Sequence, residues 1–208
     1  MAGDEDRRSG DAADLAAMIA RAAEQTAGGK PGLPPVERWN PAFCGDIDME
    51  IKADGQWFYM GTPIGRAPLV RLFSTVLRKD EDGKTYLVTP VEKLGIRVAD
   101  AHFLAVEMTV ADKDGVSVLT FRTNVGDVIE AGPEHPLRFV IEGEQSQLKP
   151  YLAVRGRLEA LVSRAVTYDL MALGEVVEID GEAMFAIRAS GACFPVLPAA
   201  DLEGLLND

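Results

Sequence analysis

The dipeptide Asp-Gly occurs four times in this chain, at 54–55, 82–83, 114–115 and 180–181. Glycine reaches positive φ without steric cost and aspartate tolerates it, so each pair suits the tight turn of a β-hairpin. Three of the pairs separate strand-like runs: IDMEIKA from QWFYM, FLAVEMTVA from VSVLTFRT, and VVEI from EAMFAIR. Those three predict antiparallel hairpins. The fourth, Asp82-Gly83, follows Leu69, Leu72, Phe73, Val76 and Leu77, which recur at helical spacing behind Pro68. There the pair is expected to join a helix ending near Arg78 to the strand TYLVTP.

A similar order returns late in the chain. PYLAVRGRLEALVSRAVTYDL reads as a strand, Gly156 between Arg155 and Arg157, then Leu158, Leu161 and Val162 on one helical face, then a strand AVTYDLM. Hairpins mixed with a few helices predict an α+β fold in two half-domains, with an internally duplicated strand-helix-strand motif. The expected division is 34–100 for an N-terminal α+β half and 101–200 for a β-rich half, with a tail at 201–208. Residues 1–33 are expected as a separate appendage: an amphipathic helix from Asp11 to Ala27, with Leu15, Met18, Ile19 and Ala22 on one face, and the flexible linker GGKPGLPP.

Charge removes some function classes. The 208 residues carry a formal net charge of −12, which opposes broad binding to DNA or RNA. Residues 101–208 hold 8 Lys+Arg against 17 Asp+Glu, so the acid load lies in the second half. Within 61–100 the balance reverses, with Arg66, Arg71, Arg78, Lys79, Lys84, Lys93 and Arg97 against Asp80, Glu81, Asp82, Glu92 and Asp100. No apolar run is long enough to span a bilayer, and the start MAGDEDRRSG lacks the apolar core of a signal peptide, so a cytoplasmic location is expected. Cys44 and Cys193 are too far apart for a metal knuckle or a redox pair and read as two reduced, largely buried thiols.

No catalytic residue is assigned. The chain has no G-x-S-x-G, no H-E-x-x-H, no P-loop and no dinucleotide fingerprint, and His102 and His135 lack metal-ligand spacing. Arg66 and Arg71 flank the start of the Pro68 helix, whose backbone N–H groups favour an anion. Glu92, Lys93 and Arg97 are read on a loop beyond the strand that ends at Val88, and Arg122, Asn124 and Asp127 come from FRTNVGD, with Arg155 beyond them. Facing one groove, these residues offer guanidinium groups for phosphate and an amide or carboxylate for a base or sugar. That convergence predicts a non-enzymatic binding protein for a small anionic ligand, with no cofactor and no metal. One alternative is a metal-dependent hydrolase or transferase acting on a phosphorylated compound through Asp46, Asp48 and Glu50. Their two-residue spacing puts them on one strand face, equally readable as the wet face of an amphipathic strand. A second is an interaction module that binds a protein partner, or another copy of the chain, through a sheet edge or the N-terminal helix.

The segments PPVERWNPAFCGDIDM, WFYMGTPIGRAPLVRLFSTVL, YLVTPVEKLGIRV, FRTNVGD and RGRLEALVSRAVTYDL together resemble the bacterial family catalogued as domain of unknown function 1285. The resemblance runs in order from about Pro34 to Pro195 and leaves the N-terminal helix outside. It implies a duplicated α+β fold whose second half is loosely similar to pleckstrin-homology domains. It also implies a site for a nucleotide-like ligand in the groove where the halves meet, and a part in signal transduction. The chain departs from the expected pattern at Ala165, where the resemblance calls for proline after the arginine.

Overall fold

The computed structural model describes residues 12–17, 19–21, 32–143 and 147–202. Two compact units emerge: one runs to His102 and includes Gly156–Leu158, and the other holds Phe103–Arg155 and the residues from Glu159 onward. The fold is mostly β with few helices. Residues 12–17 and 19–21 are helical, and their buried positions are Ala12, Ala16 and Ile19, with Leu15 half-buried; Met18 and Ala22 of the expected face lie outside the described residues.

The first unit is built on a six-stranded sheet. Its strands are β1 (Phe43–Ile51), β2 (Trp57–Tyr59), β3 (Thr62–Pro63), β4 (Leu77–Lys79), β5 (Thr85–Val88) and β6 (Lys93–Val98), in the order β3-β2-β1-β6-β5-β4. Only the central pair β1·β6 is parallel. One face is apolar because Met49 and Ile51 alternate with Asp48 and Glu50, and Trp57 stands opposite Ile51. Helix α1 (Ala67–Thr75) lies on that face, its Phe73 ring stacked on Trp57 at 6.3 Å between centroids.

The second unit repeats this order. Its strands β7 (Phe103–Lys113), β8 (Val116–Thr123), β9 (Val128–Glu130), β10 (Leu137–Glu142), β11 (Gln147–Arg155) and β12 (Leu158–Val162) run β10-β11-β12-β7-β8-β9. The first strand of the set again lies parallel to the sixth. Helix α2 (Arg164–Met171) follows, then a three-stranded antiparallel sheet of β13 (Glu175–Ile179), β14 (Glu182–Ala189) and β15 (Ala192–Pro198). Gly174 makes the handover from α2 to β13, because a Cβ there would stand 2.0 Å from the buried Phe185 ring.

Three sequence expectations change. The duplicated unit is six strands, whereas α1 falls between the third and fourth strands of the first set and α2 after the sixth of the second. RLEALV is a strand, because Leu158, Ala160 and Val162 are buried at a spacing of two, and the helix is RAVTYDLM. The expected helix near Arg78 stops at Thr75, where the Ser74 and Thr75 hydroxyls donate to the carbonyls of Arg71 and Leu72. Leu77 then pairs with Leu87 in a ladder, both buried, so Asp82-Gly83 is a hairpin turn like the other three.

Candidate functional site

The apolar face of the first sheet is covered by α1 at one end and opens at the other. Lys79, Thr85 and Ile96 stand in register across β4, β5 and β6, so their side chains share a face with the buried Leu77 and Leu87. A cavity of about 390 Å³ takes in this end of the sheet, lined by Lys79, Lys84, Thr85, Ile96, Arg97 and His102 among others, with the acids Asp46 and Asp100 in the same lining. The Oγ of Thr85 and Nε2 of His102 are 3.0 Å apart, and both residues are buried. This pair gives the cavity a polar wall within an otherwise apolar sheet face.

Lys79 is half-buried and Lys84 exposed, and among the described residues neither ammonium has a carboxylate partner. The lining also holds the carboxylates of Asp46 and Asp100, so the two lysines favour an anion at their own end of the cavity rather than throughout it. Most neighbouring cations are already neutralised. Arg78 is buried, bonded to Asp80 at 2.5 Å, and donates to the carbonyls of Val36 at 2.9 Å and Trp39 at 2.7 Å. The Arg78 guanidinium, followed by Lys93 at 3.2 Å, holds the Asp80 carboxyl below its usual range against the opposing effect of burial.

The residues singled out in the sequence fall five in the first unit and four in the second. Arg66 is the exposed residue before α1, and Arg71 lies exposed within it. Glu92 closes the Thr89–Glu92 turn, its N–H bonded to the Thr89 hydroxyl at 3.1 Å. Lys93 and Arg97 are on strand β6 and not on a loop, because Leu94, Ile96 and Val98 alternate with them. Lys93 also sits 4.6 Å over the Tyr86 ring. Arg97 lines the cavity, yet its guanidinium is bonded to Asp48 at 2.6 Å and lies 3.8 Å from Glu50.

In the second unit, Arg122 is paired with Glu107 through two guanidinium nitrogens. Asn124 serves the backbone, exchanging bonds with Leu104 through its own N–H at 2.8 Å and its side-chain oxygen at 3.1 Å. Asp127 accepts from Arg155 at 2.8 Å, and Arg155 lies 4.9 Å over the Phe103 ring.

The three carboxylates of β1 do share the face opposite Met49 and Ile51, but Arg97 draws in Asp48 and Glu50, while the Asp46 carboxylate lies over Gly95. Among the described residues no cluster of His, Cys, Asp and Glu is arranged to hold a metal ion. Cys44 and Cys193, expected to be largely buried, are both exposed, because each falls on an outward-facing position of its strand. None of the described helices is long and apolar enough to cross a membrane. Sequence reasoning counted Lys79 and Lys84 in the basic stretch 61–100 and weighed His102 only as a metal ligand, without placing any of them in the site, and it passed over Thr85. The linear signals are that basic excess for the two lysines, and the phase of Lys79 and Thr85 with the apolar positions of their strands.

Two family models match the chain. Residues 34–101 match the N-terminal domain of a family described as a domain of unknown function (DUF1285), and residues 102–196 match that family's C-terminal domain. A crystal structure of a DUF1285 family protein from Silicibacter pomeroyi DSS-3 is similar at 46% identity and a TM-score of 0.77, covering 89% of this chain and 97% of that one. A second, from Shewanella baltica OS155, is 27% identical with a TM-score of 0.47 over 60% of this chain and 90% of that one. A search of curated proteins returned no match.

Proposed function

The chain belongs to the DUF1285 family, and from that premise we propose that it binds a small anionic ligand in the cavity at the open end of the first unit's sheet. The observation that carries this reading is the pair of lysines, Lys79 and Lys84, neither of which forms an ion pair among the described residues although Asp46 and Asp100 also line the cavity. Their ammonium groups neutralise the ligand's charge, and the buried Thr85–His102 pair supplies directional hydrogen bonds. Arg97 stands in reserve, since it serves a ligand only by loosening its hold on Asp48 and Glu50. A nucleotide-like ligand, a part in signalling and the pleckstrin-homology likeness of the second half remain extensions of the proposal that rest on the family resemblance. The paired state of Arg122 and Arg155 supports a structural role for them in the absence of ligand.

Thermal unfolding of the full chain in pyrophosphate and in adenosine monophosphate, against chloride of matched ionic strength, tests this. Saturable stabilisation by at least one of the two is expected, because a ligand bound only to the folded state raises its stability. Replacing Lys79 and Lys84 together by alanine is expected to abolish the shift without lowering the unfolding temperature in chloride. The reading fails if neither compound stabilises the wild type, or if the double variant responds as the wild type does.

A further inference from the structure

Unpaired sheet edges expose rows of N–H and C=O groups, and folded proteins blunt them with short length, charge, bulges or cover. Most edges of this chain are blunted. Strand β3 is two residues long and β9 three. β4 is backed by the Val36–Arg38 turn, whose first carbonyl Arg78 holds. β10 lies against β15. β13 differs in that acid alone guards it: Glu175 and Glu178 stand among five residues, none of them buried, with Val176 exposed at 56%. It carries no lysine, arginine or proline, and its five pairs with β14 run without a bulge.

We propose that β13 accepts an extended segment of a partner protein in which basic residues alternate with apolar ones. Charge complementarity selects that occupant. The strand reads EVVEI, Asp180 and Glu182 follow at its end, and among these acids only Glu175 has a cationic partner within the described residues, Arg188. A second copy is a poor occupant. Antiparallel self-pairing about Val177 sets Glu178 diagonally beside its own mate, about 7–8 Å away. It also joins two chains that each carry a net charge of −12. Backbone bonds to this edge, which has no second strand beside it among the described residues, supply the attraction, Val176 offers apolar contact, and Glu178 sets the preference for a basic strand.

The probe is a short blocked peptide of alternating lysine and valine, titrated into the isotope-labelled full chain, with an alternating glutamate and valine peptide as control. The backbone amides of Glu175–Ile179 are expected to shift and to exchange more slowly with the lysine peptide, with affinity falling as salt rises. Glu178→Lys is expected to weaken the lysine peptide about tenfold, the equivalent of about 1.4 kcal/mol, and to favour the glutamate peptide instead. The proposal is overturned if neither peptide binds, if the shifts map away from β13, if Glu178→Lys leaves the preference unchanged, or if β13 gains protection only as the chain self-associates.

Discussion

Tyr86 concentrates the electrostatics of the first unit in one side chain. Its phenol donates to Asp82 at 2.6 Å, its ring meets Phe43 edge-on at 5.9 Å, and Lys93 lies 4.6 Å above it. The bond to Asp82, then burial, then the nearby carboxylates of Asp82, Asp80 and Asp46 push the phenol up to about 12. The same bond, with the Lys84 N–H, lowers the Asp82 carboxyl. A raised tyrosine means stability that is complete below the ordinary value of 10.0 and is lost as pH climbs through about 12. A lowered carboxyl means stability present above the usual carboxylate value and lost as pH falls. Tyr86→Phe is therefore expected to remove a step centred near 12 from the tyrosine titration followed by ultraviolet absorbance. A difference curve centred near the ordinary phenol value would show that the Asp82 bond does not form in solution.

At the scale of elements, the Asp-Gly pairs were the most legible part of the chain, and they fall into two kinds of turn. Asp54-Gly55 and Asp82-Gly83 close matching loops, in which the N–H of Lys52 or Asp80 bonds to the carbonyl four residues on and the aspartate accepts from the N–H two residues on. Asp114-Gly115 and Asp180-Gly181 have positive φ at both residues, the two-residue hairpin geometry. Met60-Gly61 and Ser190-Gly191 have that geometry too, at φ 49 and 71 and at 49 and 79; a turn at Gly61 was legible from the glycine, whereas Ser190-Gly191 went unread although serine before glycine is a turn signal. The misread segments share a cause: RLEALV fits both a spacing of two and a helical spacing, and burial alone decides between them. Met60 is the informative position, since a long side chain held in the left-handed region and 55% exposed returns little packing for its strain. Met60→Asn is expected to stabilise the chain by about 1 kcal/mol, read as a higher urea midpoint with an unchanged slope. A lower midpoint would mean that the methionine makes an apolar contact worth more than its backbone cost.

For the whole molecule, the cations that look available in the sequence are largely spent on acids far along the chain: Arg97 on Asp48 at a separation of 49 residues, Arg155 on Asp127 at 28, Arg122 on Glu107 at 15. No local window reveals such pairing, and the cavity is equally hidden, since its lining is gathered from Asp46 through to His102. The pairing also decides how the chain answers salt. Arg97–Asp48, Arg122–Glu107 and Arg188–Glu175 have both partners roughly half-exposed, and pairs of that kind contribute about 0–1 kcal/mol each. Against them stands the mutual repulsion within a chain of net charge −12, heaviest over residues 101–208. At about 0.01 M salt the screening length is about 30 Å, so this repulsion acts across a folded chain of this size; at about 0.1 M it shrinks to about 10 Å, while contacts at bonding distance are weakened less. Repulsion is therefore relieved faster than the pairs are lost, and the unfolding temperature is expected to rise between those concentrations. A net gain of about 1 kcal/mol corresponds to roughly 2–4 °C for a chain of this length. Sodium chloride is the right titrant, because sulfate and phosphate also strengthen apolar burial and would raise the temperature for a different reason. A fall in unfolding temperature under chloride would mean that the exposed pairs hold the fold more strongly than their accessibility implies.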